Sequence, residues 1–356
     1  MKKILNFAAM AMLVLASCTK VSDGIATIGS SQEINFQTAY YSLGTKADDV
    51  DGYSELDTEF IVRAYYTDAY HWNDIDIATA DLYMEDVEIS KQEEEGNIVW
   101  KATEGTYFWP KTGTLTFFGY TGWEGTPVWG NDKTALFSSE ETIKANSDPM
   151  VSDIASSYGY PGEGSVTYFT KGVPMLFHHT TSKVAFMAKI KYDKAPHGPY
   201  RYVVVINYLS IDDMYTKGTY TLNATNTKIT GNWSNRGGVN SLEYFAPEGD
   251  GQTLTTTADN LGEAGQVSVL PQSVASLKAF VDYDVYVYKS SSGLDKKLIS
   301  VSNFSNEVSL ATENIKEWEQ NKIYTYTLTI SPVGDEITFD PAASNWKTVS
   351  SISIED

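Results

Sequence analysis

A period of two constrains this chain more than any other feature. Lys183–Tyr192 reads KVAFMAKIKY, with Val184, Phe186, Ala188 and Ile190 at alternate positions, the spacing of a half-buried strand. The same pattern recurs along the sequence. FIVRAYY at 60–66 puts Phe60, Val62, Ala64 and Tyr66 on one face, and IYTYTLTI at 323–330 alternates as cleanly. Further strand patterns fall at 98–101, 106–110, 115–120, 173–177, 200–211, 219–222, 267–270, 279–288, 298–301 and 336–339, with turn residues between them. The 46 aromatic residues include 24 tyrosines, a bias that favours strands. Short strands at this spacing predict an all-β chain of sandwich or barrel type. Thr312–Glu319 reads as the best helix and Ser139–Ala145 as a second, short one. No fixed-period repeat occurs, which argues against a solenoid or propeller.

Length and charge narrow the function. At 356 residues the chain has room for two sandwiches in series. The Gly- and Pro-rich stretch PGEGSVTYFTKGVP suggests a boundary near 165–180. With 26 Lys and Arg against 46 Asp and Glu, the formal charge is −20. That argues against a nucleic-acid partner, whose phosphates need clustered positive charge, and against adhesion to anionic lipid through a basic face.

Residues 1–17 read MKKILNFAAMAMLVLAS: two lysines, then an apolar run too short for a permanent span. Leu15-Ala16-Ser17-Cys18 follows, and Cys18 is the sole cysteine. Small residues before a cysteine at the end of such a run resemble a bacterial lipobox, which implies cleavage before Cys18 and a lipid on its sulfur. Removing 17 of the 356 residues leaves 339, and loss of Lys2 and Lys3 moves the charge from −20 to −22. A single cysteine permits neither an intrachain disulfide nor a cysteine zinc site. The mature chain must therefore rest on its apolar core.

Catalytic and metal motifs are weak. No nucleophile elbow, Walker loop, HExxH or dinucleotide fingerprint occurs, and the chain reads as a non-enzyme with no cofactor. The pair His178-His179 lies in a strand pattern, so the two rings point to opposite faces and do not share one metal. Asp48, Asp49 and Asp51 before Gly52 lack the spacing of a calcium loop, and Glu93-Glu94-Glu95 reads as a solvated turn. Trp109, Phe117, Phe118, Tyr120, Trp123 and Trp129 could form a sugar-stacking platform. Phe117 and Phe118 are strand neighbours facing opposite layers, however, and core packing is the better reading.

Several segments, in order, resemble the fimbrillin family, the type V pilins of Gram-negative bacteria. They are the lipobox, FIVRAYY at 60–66, YFWPKTGTLTFFGYTGW at 107–123, DPMVSDIA at 148–155, LFHHTTSKVAFMAKI at 176–190, VLPQ at 269–272, the W-x-x-N-K-x-Y-x-Y-T-L run at 318–328, and ITFDPAASNW at 337–346. The resemblance implies two transthyretin-like β-sandwiches in tandem. It places the signal peptide at 1–17, a tether at 18–33, an N-terminal sandwich at 34–172 and a C-terminal sandwich at 173–356. Pilins of this family reach the outer membrane as lipoproteins. A trypsin-like protease then removes the lipid with the first strand, and a strand from another subunit fills the groove.

Carried onto this chain, Ile34, Phe36, Thr38 and Tyr40 make the removable strand, 34–46. Lys46-Ala47 is the processing site, a lysine where the family often has arginine. The C-terminal residues Val349, Ile352 and Ile354 stand either as a donor tail or as the end of the last sheet. Implied partners are other pilin subunits, the outer membrane through Cys18, and the protease. The alternatives are an uncleaved fimbrial anchor, or a monomeric surface lipoprotein that binds a glycan or host protein.

Overall fold

The computed structural model describes residues 29–37, 59–68, 72, 80–94, 97–130, 133–139, 148–159, 172–195, 198–223, 231–262, 265–290, 296–333 and 337–345. Among these residues the chain is all-β, with no α-helix. The first strands are β1 (Gly29–Glu33), β2 (Phe36–Gln37), β3 (Phe60–Thr67), β4 (Asp81–Glu94), β5 (Asn97–Ala102), β6 (Phe108–Pro110) and β7 (Thr114–Thr121). There follow β8 (Val128–Trp129), β9 (Thr134–Ser139), β10 (Met150–Ser152), β11 (Ala155–Gly159), β12 (Val173–Pro174), β13 (Phe177–His179) and β14 (Ser182–Ile190). The longest strand is β15 (Tyr200–Asn223), followed by β16 (Asn232–Phe245), β17 (Gln252–Thr253), β18 (Asp259–Asn260) and β19 (Gln266–Val269). The last are β20 (Lys278–Ser290), β21 (Lys296–Ser309), β22 (Lys322–Ile330) and β23 (Ile337–Asn345).

A nine-stranded sheet runs β12-β2-β5-β4-β3-β7-β10-β13, with β11 also on β7. As the alternation predicts, Phe60, Val62, Ala64 and Tyr66 share one buried cluster, joined by Phe117 and Phe177. In the second half, a five-stranded sheet (β18-β14-β22-β23, with β19 on β14) and a seven-stranded sheet (β21-β20-β15-β9-β8, with β16 and β17 on β15) enclose another core. There Val184 and Phe186 of β14 and Tyr326 of β22 belong to one buried cluster with Val204 and Ile206 of β15 and Tyr283 of β20.

A third cluster joins the halves. Strand β9 lies before the expected boundary, yet it pairs with β15 from Gly218↔Ser139 to Asn223↔Thr134. The opposite face of β3 and β7 contributes Tyr65, Phe118 and Tyr120, which pack with Phe137, Tyr220 and Trp233. Phe117 and Phe118 thus face different cores, as their adjacency in a strand requires.

Three expectations need correction. The segment 312–319 is not a helix, because its backbone bonds across the chain: Trp318 N donates to Gln272 O at 2.8 Å and Gln272 N to Trp318 O at 3.1 Å. Gly29–Glu33, expected as the end of a tether, is a strand paired with β6. Strands β12 and β13, which a boundary at 173 assigns to the C-terminal half, pair instead with β2 and β10. The helix expected at 139–145 lies outside the described residues apart from Ser139, which ends β9.

In the joining cluster, the Tyr220 hydroxyl is buried with no hydrogen-bond partner among the described residues, and burial pushes its pKa up. An orphaned buried hydroxyl costs roughly 1–3 kcal/mol. Tyr220→Phe is therefore expected to raise the urea midpoint; a fall would show that the hydroxyl is bonded.

Candidate strand-insertion site

The site is built around the first described residues. Asn35–Gln37 lie between two distant segments. On one side Phe36 stands opposite Trp100 of β5 in antiparallel register. On the other, β12 runs parallel to β2, with Val173 N donating to Asn35 O at 2.7 Å and Met175 N to Gln37 O at 2.9 Å. Ile34 N donates to Tyr107 O at 2.8 Å, which ties the entry of the strand to the segment before β6. A strand near the start of the chain thus sits inside a sheet, with its backbone groups satisfied from both sides.

Side chains seat it as firmly. Ile34 and Phe36 are each 2% exposed. The Phe36 ring meets Phe60 at 6.1 Å and Phe117 at 5.6 Å, both edge-on, the geometry aromatic pairs prefer. Gly172 makes the close approach possible. Its φ is +96°, and a Cβ there would lie 2.6 Å from the Phe36 carbonyl carbon, so both conformation and space require glycine. One atom is left over: Asn35 Oδ1 is buried without a hydrogen-bond partner among the described residues.

Of the residues expected in the strand, the structure brings Ile34 and Phe36 together. Thr38, Tyr40, Lys46, Ala47, Cys18, Val349, Ile352 and Ile354 lie outside the described residues. The last described strand, β23, pairs with β22 from Lys322↔Asn345 to Ile330↔Ile337. Arg63, in β3, is held by Asp86 at 2.9 Å and by the Tyr65 hydroxyl at 2.9 Å.

The other motifs resolve into structural roles. The histidines go to separate carboxylates: His178 Nε2 lies 3.2 Å from Asp153 Oδ1, and His179 Nδ1 lies 2.6 Å from Asp148 Oδ1. His178 is half-buried and His179 buried. DPMVSDIA and LFHHTTS dock on each other through Met150↔His179 and Ser152↔Phe177. The aromatic segment is packed rather than presented, with Trp109 and Phe118 each 1% exposed. Sequence reasoning missed Gln272. Its Oε1 accepts from Tyr215 N at 2.8 Å and its Nε2 donates to Tyr215 O at 3.0 Å, which bolts VLPQ to β15. Its only sequence signal was its place in that motif.

A fimbrillin-like family matches residues 67–346. The chain belongs to that family. No curated protein matches the sequence. A crystal structure of a fimbrial protein from Bacteroides vulgatus superposes with a TM-score of 0.54 at 18% identity, covering 81% of this chain and 93% of that one. A structure described as a cell-adhesion protein from Bacteroides uniformis gives 0.42 at 16%, covering 81% and 91%. The tip fimbrial protein Mfa3 from Porphyromonas gingivalis gives 0.38 at 8%, covering 81% and 94%. Family membership gives this fimbrillin-like chain a pilin or adhesion role at the cell surface, in a family that is generally non-enzymatic.

Truncating Phe36 to alanine should cost roughly 3–5 kcal/mol, as for a buried phenylalanine elsewhere. The readout is hydrogen exchange at the Val173 and Met175 amides, whose acceptors are Asn35 and Gln37. Unchanged protection there would mean that the ring does not hold the strand.

Proposed function

We propose that the chain is a pilin subunit that assembles by donor-strand exchange. It reaches the outer membrane as a lipoprotein through Cys18. A trypsin-like protease cuts after Lys46 and frees the segment that carries Ile34, Phe36, Thr38 and Tyr40. A strand from another subunit then takes the vacated place. Val349, Ile352 and Ile354 offer the matching apolar residues in the C-terminal tail, and the assembled fimbrium supports adhesion.

The observation that carries this reading is the insertion of β2 between β5 and β12. Removing it leaves donors at Val173 and Met175 without acceptors and bares Phe60 and Phe117. An incoming strand repairs both losses at once, which is the physics of β-augmentation. The size of the hold also fits. Burial of Ile34 and Phe36 is worth about 1.5–3 kcal/mol each, enough to keep the strand seated while it is covalently attached. The orphaned Asn35 Oδ1 subtracts roughly 1–3 kcal/mol from that hold, so a donor without a buried amide would bind better than the strand it replaces.

Limited trypsin digestion of the mature-length protein tests the reading. An early cut after Lys46, release of the preceding segment that carries Ile34 and Phe36, and growth of SDS-resistant ladders over days are expected. Lys46→Ala should abolish all three. A Lys46 that resists trypsin in a protein that stays monomeric would overturn the proposal.

A further inference from the structure

We propose that residues 172–174 act as a latch on the slot that holds β2: a strand enters and leaves on the β12 side, while the β5 wall stays in place. The use of such a latch rests on the strand-exchange reading; its geometry does not.

The two walls of the slot are held unequally. Strand β5 pairs with β4 along its whole length, from Ile89↔Ala102 to Glu94↔Asn97, and β4 pairs with β3 in turn. Shifting that wall breaks a second ladder. Strand β12 has two residues, and among the described residues it pairs with β2 alone. Its donors go to the strand it covers: Val173 N to Asn35 O at 2.7 Å, then Met175 N to Gln37 O at 2.9 Å. Pro174 between them has no N–H to give. From Leu176 onward the chain belongs to the body of the sheet, where Asp153 N donates to Leu176 O at 2.6 Å and Ser152 stands opposite Phe177. Among the described residues, swinging the arm out about Met175 therefore breaks only backbone bonds that a departing strand must break in any case.

Side-chain burial points the same way. The arm carries one fully buried side chain, Val173, in the cluster of Phe36, Phe60 and Phe117. Met175 stays with the body, since a Cβ on Gly119 of β7 would lie 2.8 Å from Met175 Cε. Opening the arm bares Val173, whereas lifting β2 off β5 bares Ile34 and Phe36 as well. Each adds a penalty of the same order, so the arm opens first. Gly172 sets how tightly it shuts: the Cβ that this residue lacks would fall on Phe36 N, C and O, and any side chain there holds the arm ajar.

Closure thus depends on the occupant. A seated strand gives Val173 N its acceptor and completes the sheet over Phe36. With the slot empty the arm has no ladder partner, and a donor meets one open edge, that of β5, beside the bared Phe60 and Phe117 rings. Docking on one edge asks less of an incoming strand than threading between two, and the arm then shuts over it. Openings of this local kind occur well below the free energy of global unfolding.

Hydrogen exchange on the uncut chain tests the latch. The Asn35 and Gln37 carbonyls point to β12, so the Phe36 amide between them points to β5 and reports on the other wall. After correction for intrinsic rates, the Val173 amide is expected to exchange about tenfold faster than the Phe36 amide, or more. Gly172→Ala should speed Val173 exchange about tenfold further, while Phe36, and Val285 in β20, keep their protection. If Gly172→Ala loosens Val285 as well, Val173→Ala, which keeps the glycine, takes its place, with a rise of about tenfold expected at residue 173 alone. Equal protection of Val173 and Phe36 in the parent, or a rise of both alike in the deciding variant, overturns the latch. No protease is added, so that result would leave strand exchange standing, and a Lys46 that resists trypsin would leave the latch standing.

Discussion

The backbone bonds of Asn35–Gln37 are the contact on which the nine-stranded sheet depends. Among the described residues strand β12 pairs in that sheet with β2 alone, so β2 is there its link to β5. Withdrawing these few residues therefore opens a gap one strand wide, lined by two rows of backbone groups on opposite sides. The segment lies early in the sequence and yet inside the sheet.

Such a slot is useful only in a rigid frame, and the joining cluster supplies rigidity. Trp123 lies 4.8 Å from Phe137, 5.8 Å from Tyr220 and 5.6 Å from Trp233, so one ring bridges residues far apart in sequence. The Trp233 indole then donates to Thr180 O at 2.6 Å, in the link between β13 and β14. Contacts of this kind, at about 0.5–1.5 kcal/mol for an aromatic pair beyond its burial, couple the halves through packed side chains as well as through the shared β9–β15 ladder.

Local pattern made the strands legible. Alternation placed Phe60, Val62, Ala64 and Tyr66 on one face and split Phe117 from Phe118, because side-chain direction in a strand depends only on parity. Phe36 was legible as a strand residue for the same reason, whereas Ile34, read with it, lies in the break between β1 and β2. Pairing was not, since the partners of Thr134–Ser139 stand some eighty residues later and no local signal encodes that contact. The segment 312–319 shows the converse error. Its composition suits a helix, but its backbone gains more by bonding to Gln272 and Val274, and tertiary context outweighs propensity differences of a fraction of a kcal/mol. Gly29–Glu33 misled because small polar residues suit a tether as well as a short paired strand.

The motifs that carry the family resemblance have a common character once placed. Gln272 of VLPQ holds β15, Asp148 and Asp153 hold the two histidines, and Trp318 of the W-x-x-N-K run donates to the Tyr326 hydroxyl at 3.0 Å. All of these are buried or half-buried and satisfy neighbours within the chain. They specify how the sheets close and how the halves meet, so they identify a scaffold. Partner choice must then be written where those constraints are absent, on strand edges and exposed faces that fold-level likeness does not describe. This is why a chain sharing 18% identity with a fimbrial protein can keep its architecture.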